Sequence, residues 1–131
     1  IGGKSFEQNF EIKIDPRVKA EGINETDIVN QISMQQKVID LLSEARMFQD
    51  KLEKEAKKLK GSNSKKLQNI NRVLKLMRNE RIVYPQQMLV SQIGYLLNMI
   101  SNADQIPGQE AMNRYKELKN EIDKLKLSIA K

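Results

Sequence analysis

Residues 24–60, NETDIVNQISMQQKVIDLLSEARMFQDKLEKEAKKLK, decide the fold. No proline or glycine interrupts residues 23–60. Apolar residues recur at Ile28, Ile32, Ile39, Leu42, Ala45, Leu52, Ala56 and Leu59, in steps of three, four and seven. That spacing lines one face of an α-helix, and Val38 and Phe48 widen the stripe. Asn24 is suited to the N-cap. Glu25 and Asp27 follow in the first turn, where acidic groups meet the positive end of the helix dipole. A helix of about 35 residues is about 50 Å long. Gly61-Ser62-Asn63 closes it, with glycine fitted to the C′ position.

Three shorter stripes follow. Leu67, Ile70, Leu74 and Met77, with Val73 beside them, predict a second helix that starts near Ser62 or Asn63 and fades at Asn79-Glu80-Arg81. Ile82-Val83-Tyr84 then precedes Pro85; three apolar residues in a connection predict a loop packed onto the helices. Pro85 fits the first turn of a third helix with the stripe Leu89, Ile93, Leu96 and Ile100. Pro107 stands near the start of a fourth, lined by Met112, Tyr115, Leu118, Ile122, Leu125 and Ile129. The expected helices are 24–60, 63–80, 86–103 and 108–130. Short connections set consecutive helices antiparallel. The expected fold class is all-α: an up-down antiparallel four-helix bundle over 23–131, with a long first helix. Two helical hairpins with the first helix projecting beyond its partners is the other arrangement the pattern allows.

Residues 1–22 read differently. Phe6, Phe10, Ile12 and Ile14 share one parity, and Glu7, Glu11 and Lys13 the other. This is the period-two pattern of a half-buried β-strand. Asp15-Pro16 stops it, since proline cannot donate to a ladder. No second strand pattern follows, and a lone strand leaves its backbone groups unpaired. The expectation is therefore a strand and linker from an upstream β-domain, cut from a longer chain that carries the sheet, or pairing with another copy of itself.

Composition removes most catalytic chemistry. The 131 residues contain no cysteine and no histidine, so disulfides, thiolates and the commonest general base and metal ligand are excluded. No apolar run approaches the roughly 20 residues of a membrane span. No glycine-rich phosphate loop, nucleophile elbow or calcium loop appears. Glu53 and Glu55 face different ways, and Glu117 and Glu121 lie on a charged face near Arg114 and Lys124, a spacing that predicts solvated ion pairs. Asn24-Glu25-Thr26 reads as the helix cap. No catalytic, cofactor or metal site is expected.

Charge placement is the sharper signal. Residues 51–66 hold seven lysines (Lys51, Lys54, Lys57, Lys58, Lys60, Lys65 and Lys66) against two acids, which places five of the six net positive charges at one hairpin tip. Such a tip can hold a polyanion or an anionic surface. It lacks the arginine forks that read bases and the aromatics that stack on them. A solvated tip is the first reading, docking of a protein or polyanion the second, and nucleic-acid recognition the last.

Gly2-Gly3, Gln8, Phe10 and Asp15-Pro16-Arg17-Val18, followed by Gln35, Tyr84-Pro85-Gln86-Gln87 and Gln105-Ile106-Pro107-Gly108, come in an order that resembles bacterial sortilin-like, BNR-repeat, glycosyl-hydrolase-like proteins. Those proteins tend to place threonine after these prolines, where this chain has Gln86 and Gly108. The resemblance implies a C-terminal helical module that follows a β-propeller and its β-rich appendage, in a secreted or cell-envelope protein. Any catalytic acids of such a parent would lie in the propeller. The expected function is thus a non-catalytic structural or interaction module whose partner is the upstream propeller of the same chain. The alternatives are a free-standing basic bundle that binds nucleic acid or another polyanion, and self-association through the first helix.

Overall fold

The Asn24 side chain accepts from the Asp27 backbone N–H, and the Asp27 carboxylate accepts from the Asn24 N–H, each at 3.0 Å. This capping box starts the long helix where the sequence places it. A computed structural model describes residue 3 and residues 5–62, 64–82, 84–102 and 104–130. Over these the chain is all-helical: α1 Pro16–Ala20, α2 Glu25–Lys58, α3 Lys65–Met77, α4 Leu89–Ser101 and α5 Gln109–Ala130. The 34 residues of α2 give it a length of about 51 Å. Helix α1 is a single capped turn, with Asp15 accepting from the Arg17 N–H at 2.8 Å.

The core is shared by α2, α3, α4 and α5. Val38, Leu41, Ala45 and Leu52 of α2 meet Ile70, Val73, Leu74 and Met77 of α3, Leu89, Ile93, Leu96 and Ile100 of α4, and Leu118 and Ile122 of α5. One correction concerns α2. Ile32 and Ile39, expected in the buried stripe, point to solvent, and Gln31 and Met34 are buried instead, beside the expected Val38. The first half of α2 carries apolar residues on two sides, so spacing alone cannot say which side packs. From Leu42 onward the expected stripe is the buried one.

Contacts between helix ends fix how the elements run. Lys66, in the first turn of α3, reaches Glu55 near the end of α2 at 2.5 Å. Gln31, near the start of α2, reaches the carbonyl of Ile100 at the end of α4. Helix α3 therefore starts beside the C-terminal part of α2, whereas α4 finishes beside its N-terminal part. Both run against α2, and α3 crosses it at an angle, since Arg78 at its far end still reaches Glu53. Helix α5 returns along α4 and α3, tied by Arg114 to Gln92 and by Asn69 to the Ser128 carbonyl, and runs with α2, where Lys126 pairs with Glu44. The expected up-down-up-down alternation thus gives way to up-down-down-up. The described residues joining α3 to α4 bend out and back, and Asn79 holds their end at Met88 and Gln87 beside their start, so α4 begins close to where α3 stops and continues in the same direction.

That connection corrects three further expectations. Helix α3 stops at Met77, short of residue 80, and starts from the Ser64 cap, whose hydroxyl accepts from the Leu67 N–H. Helix α4 starts at Leu89, so Pro85 lies before it and not in its first turn. Met88 caps with an extended backbone, and its N–H is bound by the Asn79 side chain at 2.8 Å. A side chain nine residues upstream thereby sets the start of α4. Ile82 and Tyr84 are exposed, Tyr84 by 91%, so this segment does not pack onto the helices; Val83 lies outside the described residues. The expected third helix over 86–103 is accordingly shorter, and the fourth begins at Gln109, just after Pro107-Gly108. Asn63, the other expected cap, also lies outside the described residues, as do Gly2 and the chain's first residue.

Residues 5–15 form no helix and no strand. A strand exists only as a member of a ladder, and no described residue pairs with this segment. Phe6, Phe10 and Ile12 are each more than four-fifths exposed.

Candidate interaction site

The seven lysines lie where two helices meet a turn. Lys51, Lys54, Lys57 and Lys58 occupy the last turns of α2, Lys60 the connection, and Lys65 and Lys66 the first turn of α3. All seven are exposed. Lys57 and Lys58 stand at the negative end of the α2 dipole, which favours them. Lys65 and Lys66 stand at the positive end of α3, which has no acid in its first turn. Glu55 relieves this by pairing with Lys66. The Lys66 ammonium holds the Glu55 carboxyl below the ordinary glutamate range, and Lys51 and Lys58 add to the effect.

Geometry separates the set. Lys51, Lys54 and Lys58 line one shallow depression on the outside of α2, together with Met47, Asp50 and Glu55. Lys66, itself exposed, reaches across to Glu55 beside the Glu44–Lys126 pair and the Phe48 ring, over which Lys126 lies at 5.9 Å. The tip is an open surface, and a shallow depression of about 600 Å³ beside it is lined by Lys51, Glu55, Lys66 and Lys126 of α2, α3 and α5. It can attract an anion through charge, but it offers no enclosed pocket with converging donors.

The carboxylates noted in the sequence are structural. Arg114 pairs with Glu117 at 2.9 Å, as its spacing predicts. Glu121 forms no ion pair among the described residues; the neighbouring pair is Lys119 with Asp123, which keeps the Lys119 ammonium above its ordinary range. Glu53 accepts from Arg78 at 3.3 Å and so ties the end of α3 to α2. No group of three or more acidic residues among the described residues could hold a metal ion. No helix of the described residues is long and apolar enough to cross a membrane.

Sequence reasoning missed a polar lock at the opposite end. Gln31 is 3% exposed in an otherwise apolar interface. Its Nε2 donates to the Ile100 carbonyl at 2.8 Å, and its Oε1 accepts the Gln105 backbone N–H at 3.3 Å. Gln35 adds a second donor to Ile100, and the Gln105 side chain donates to the Met99 carbonyl. The last carbonyls of a helix have no partner of their own. Here glutamines from α2 and from the α4–α5 connection supply them. The available signal was three glutamines, Gln31, Gln35 and Gln36, among apolar neighbours at the start of α2.

A shallow groove of about 620 Å³ between α4 and α5 is lined by Tyr95, Leu96, Met99, Arg114 and Glu117. Compared with known proteins, the chain matches no family model, no curated protein and no solved structure.

Proposed function

We propose that this chain is a non-catalytic helical interaction module, carried at the C-terminal side of a larger glycosyl-hydrolase-like propeller protein. Its helices form a stiff body, and its extended segment Phe6–Ile14 joins the edge of a sheet in the preceding β-domain. One observation supports the reading above others: Phe6, Phe10 and Ile12 project from residues 5–15 with no partner in the helical body. Three apolar side chains on alternate positions of an unpaired backbone are what strand addition to a sheet edge uses. The ladder supplies affinity, and alternate side chains enter pockets. The Asp15 cap and its Arg17 partner then turn the chain away from the sheet into α1.

Hydrogen exchange tests this. In the parent polypeptide the amides of residues 6–14 should be protected, while in the 131-residue chain they exchange freely and the helices keep their protection. Equal exchange of residues 6–14 in both settings removes the proposal. The triple change Phe6→Asp, Phe10→Asp, Ile12→Asp should release the segment from the sheet and leave the helical melting temperature unchanged.

A second reading has the exposed lysines of α2 behind it: docking of a polyanion at the tip. Its affinity would fall steeply with salt, and reversal of Lys57, Lys58, Lys60 and Lys65 to Glu would abolish it. Binding unchanged by those four reversals removes this alternative.

A further inference from the structure

The face of α2 opposite the core is not a polar surface. Taking 100° per residue, Glu25, Val29, Ile32, Gln36, Ile39, Ser43, Met47, Asp50 and Lys54 fall within one sector centred about 150° from Val38 and Ala45. Every one of them is exposed; Val29 and Met47 are each about two-thirds exposed. The steps of three and four that carry this second stripe are those of a helix-pairing seam. Its charge is divided by position. Glu25 stands at the N-terminal end, Val29, Ile32, Ile39 and Met47 lie between, and at the C-terminal end Lys51, Lys54 and Lys58 outnumber Asp50. Neither Glu25 nor Lys54 forms an ion pair inside the protein among the described residues.

A second copy of α2 laid antiparallel completes this face. In one register Val29 and Ile32 of one copy cover Met47 of the other, Ile39 meets Ile39, and Glu25 reaches Lys51 and Lys54. The midpoints of all these pairings lie between residues 38 and 40, a spread of less than one helical turn. A parallel pairing would set the lysine ends against each other, and like charges in contact oppose association. The antiparallel pairing has the two-fold, self-complementary form of a homodimer interface. Among the described residues helix α1 does not pack against α2, and only Ile14 and Lys19 come beside its first turn at Glu25. We propose that the protein forms an antiparallel homodimer through the outer face of α2, centred near Ile39.

Size sets its strength. A strip about 50 Å long and about 10 Å wide is about 500 Å² on each copy, or about 1,000 Å² in all, the low end for specific interfaces. The dimer is therefore micromolar or weaker and reversible.

Sedimentation equilibrium across micromolar to millimolar concentrations tests it. The changes Phe6→Asp, Phe10→Asp and Ile12→Asp are carried throughout, which removes association through the extended segment and keeps this result independent of the strand-addition reading. A concentration-dependent dimer is expected, and Ile32→Glu with Ile39→Glu should raise its Kd at least about tenfold with helix content unchanged. Orientation is read by cross-linking, since the chain has no cysteine of its own. A Glu25→Cys copy mixed with a Lys54→Cys copy should form the mixed disulfide, and Glu25→Cys alone should form none. A monomer at every concentration, a dimer unmoved by Ile32→Glu with Ile39→Glu, or a disulfide formed by Glu25→Cys alone would each overturn the proposal.

Discussion

The two faces of α2 are made of similar residues and do different things. The inner face has Met34, Val38, Leu41, Ala45 and Leu52, all buried; the outer face has Val29, Ile32, Ile39 and Met47, all exposed. Val38 and Ile39 are neighbours in sequence and almost equal in hydrophobicity, yet Val38 is fully covered and Ile39 is 41% exposed. The difference teaches that the apolar content of a helix face does not decide its burial. What decides is whether α3, α4 and α5 present complementary surface to it.

Substitutions can break that contrast or sharpen it. The largest effect is expected at Leu52 and Ile122, both buried in the centre of the core. Leu52→Ala or Ile122→Ala should destabilise the protein by about 2–5 kcal/mol in urea unfolding, through lost burial and the cavity left behind. Ile32→Ala, measured at dilute concentration, should change stability by less than about 0.5 kcal/mol. Equal losses at Leu52 and Ile32 would erase the distinction between the faces.

Next is the polar member of the inner face. Gln31→Leu keeps the volume and removes both hydrogen bonds, leaving the Gln105 N–H without Gln31 as acceptor and the Ile100 carbonyl with the longer bond from Gln35 alone. A loss of about 1–3 kcal/mol is expected, with faster amide exchange at the end of α4. No loss would mean that water satisfies these groups equally well. Asn24→Ala removes one half of the capping box and should lower stability by about 1 kcal/mol, with fraying of the first turn of α2 visible by NMR.

The smallest effect belongs to the tip. Lys66→Gln should move the Glu55 carboxyl upward toward the ordinary glutamate range in an NMR titration, since Lys66 is the main cause of its depression. A carboxylate whose pKa is lowered on folding stabilises the fold above its unfolded pKa, and that contribution is lost as the pH falls through the lowered value. The pair is solvent-exposed, so the stability change near neutral pH should be slight and smaller still at high salt. A large loss in Lys66→Gln would show that the tip is a structural clamp and not a solvated end.

Much of the helical reading was legible in sequence. The Asn24 cap, the end of α2 before Gly61, and the stripes of α3, α4 and α5, save that Ala111 is buried and the expected Met112 exposed, follow from local rules of capping, glycine geometry and period, which need no tertiary information. Gly61 has a φ of +89°, the left-handed conformation that its side chain-free backbone permits. The seven lysines were found as a group because they are close in sequence; that Lys66 alone of them pairs among the described residues, with Glu55 of the neighbouring helix, needed the tertiary structure. The Gln31 lock was not legible, because its partners lie some 70 residues away and a glutamine in a helix reads as surface. The start of α4 was misplaced for a similar reason. Pro85 is a good local start signal, but the Asn79 side chain takes the Met88 N–H and delays the helix.

The sequence by itself determined that the chain is helical, where its long helix begins and ends, and that its charge collects at one end of that helix. These are properties of residues within a few positions of one another, where capping, period and charge act without reference to the rest of the fold. Only the tertiary structure decided which face of α2 is inside, that α3 and α4 both run against it, and which glutamine enters the core. Those outcomes depend on how Asn79 closes the bent connection between Met77 and Leu89, and on the fit of side chains brought together from distant parts of the chain.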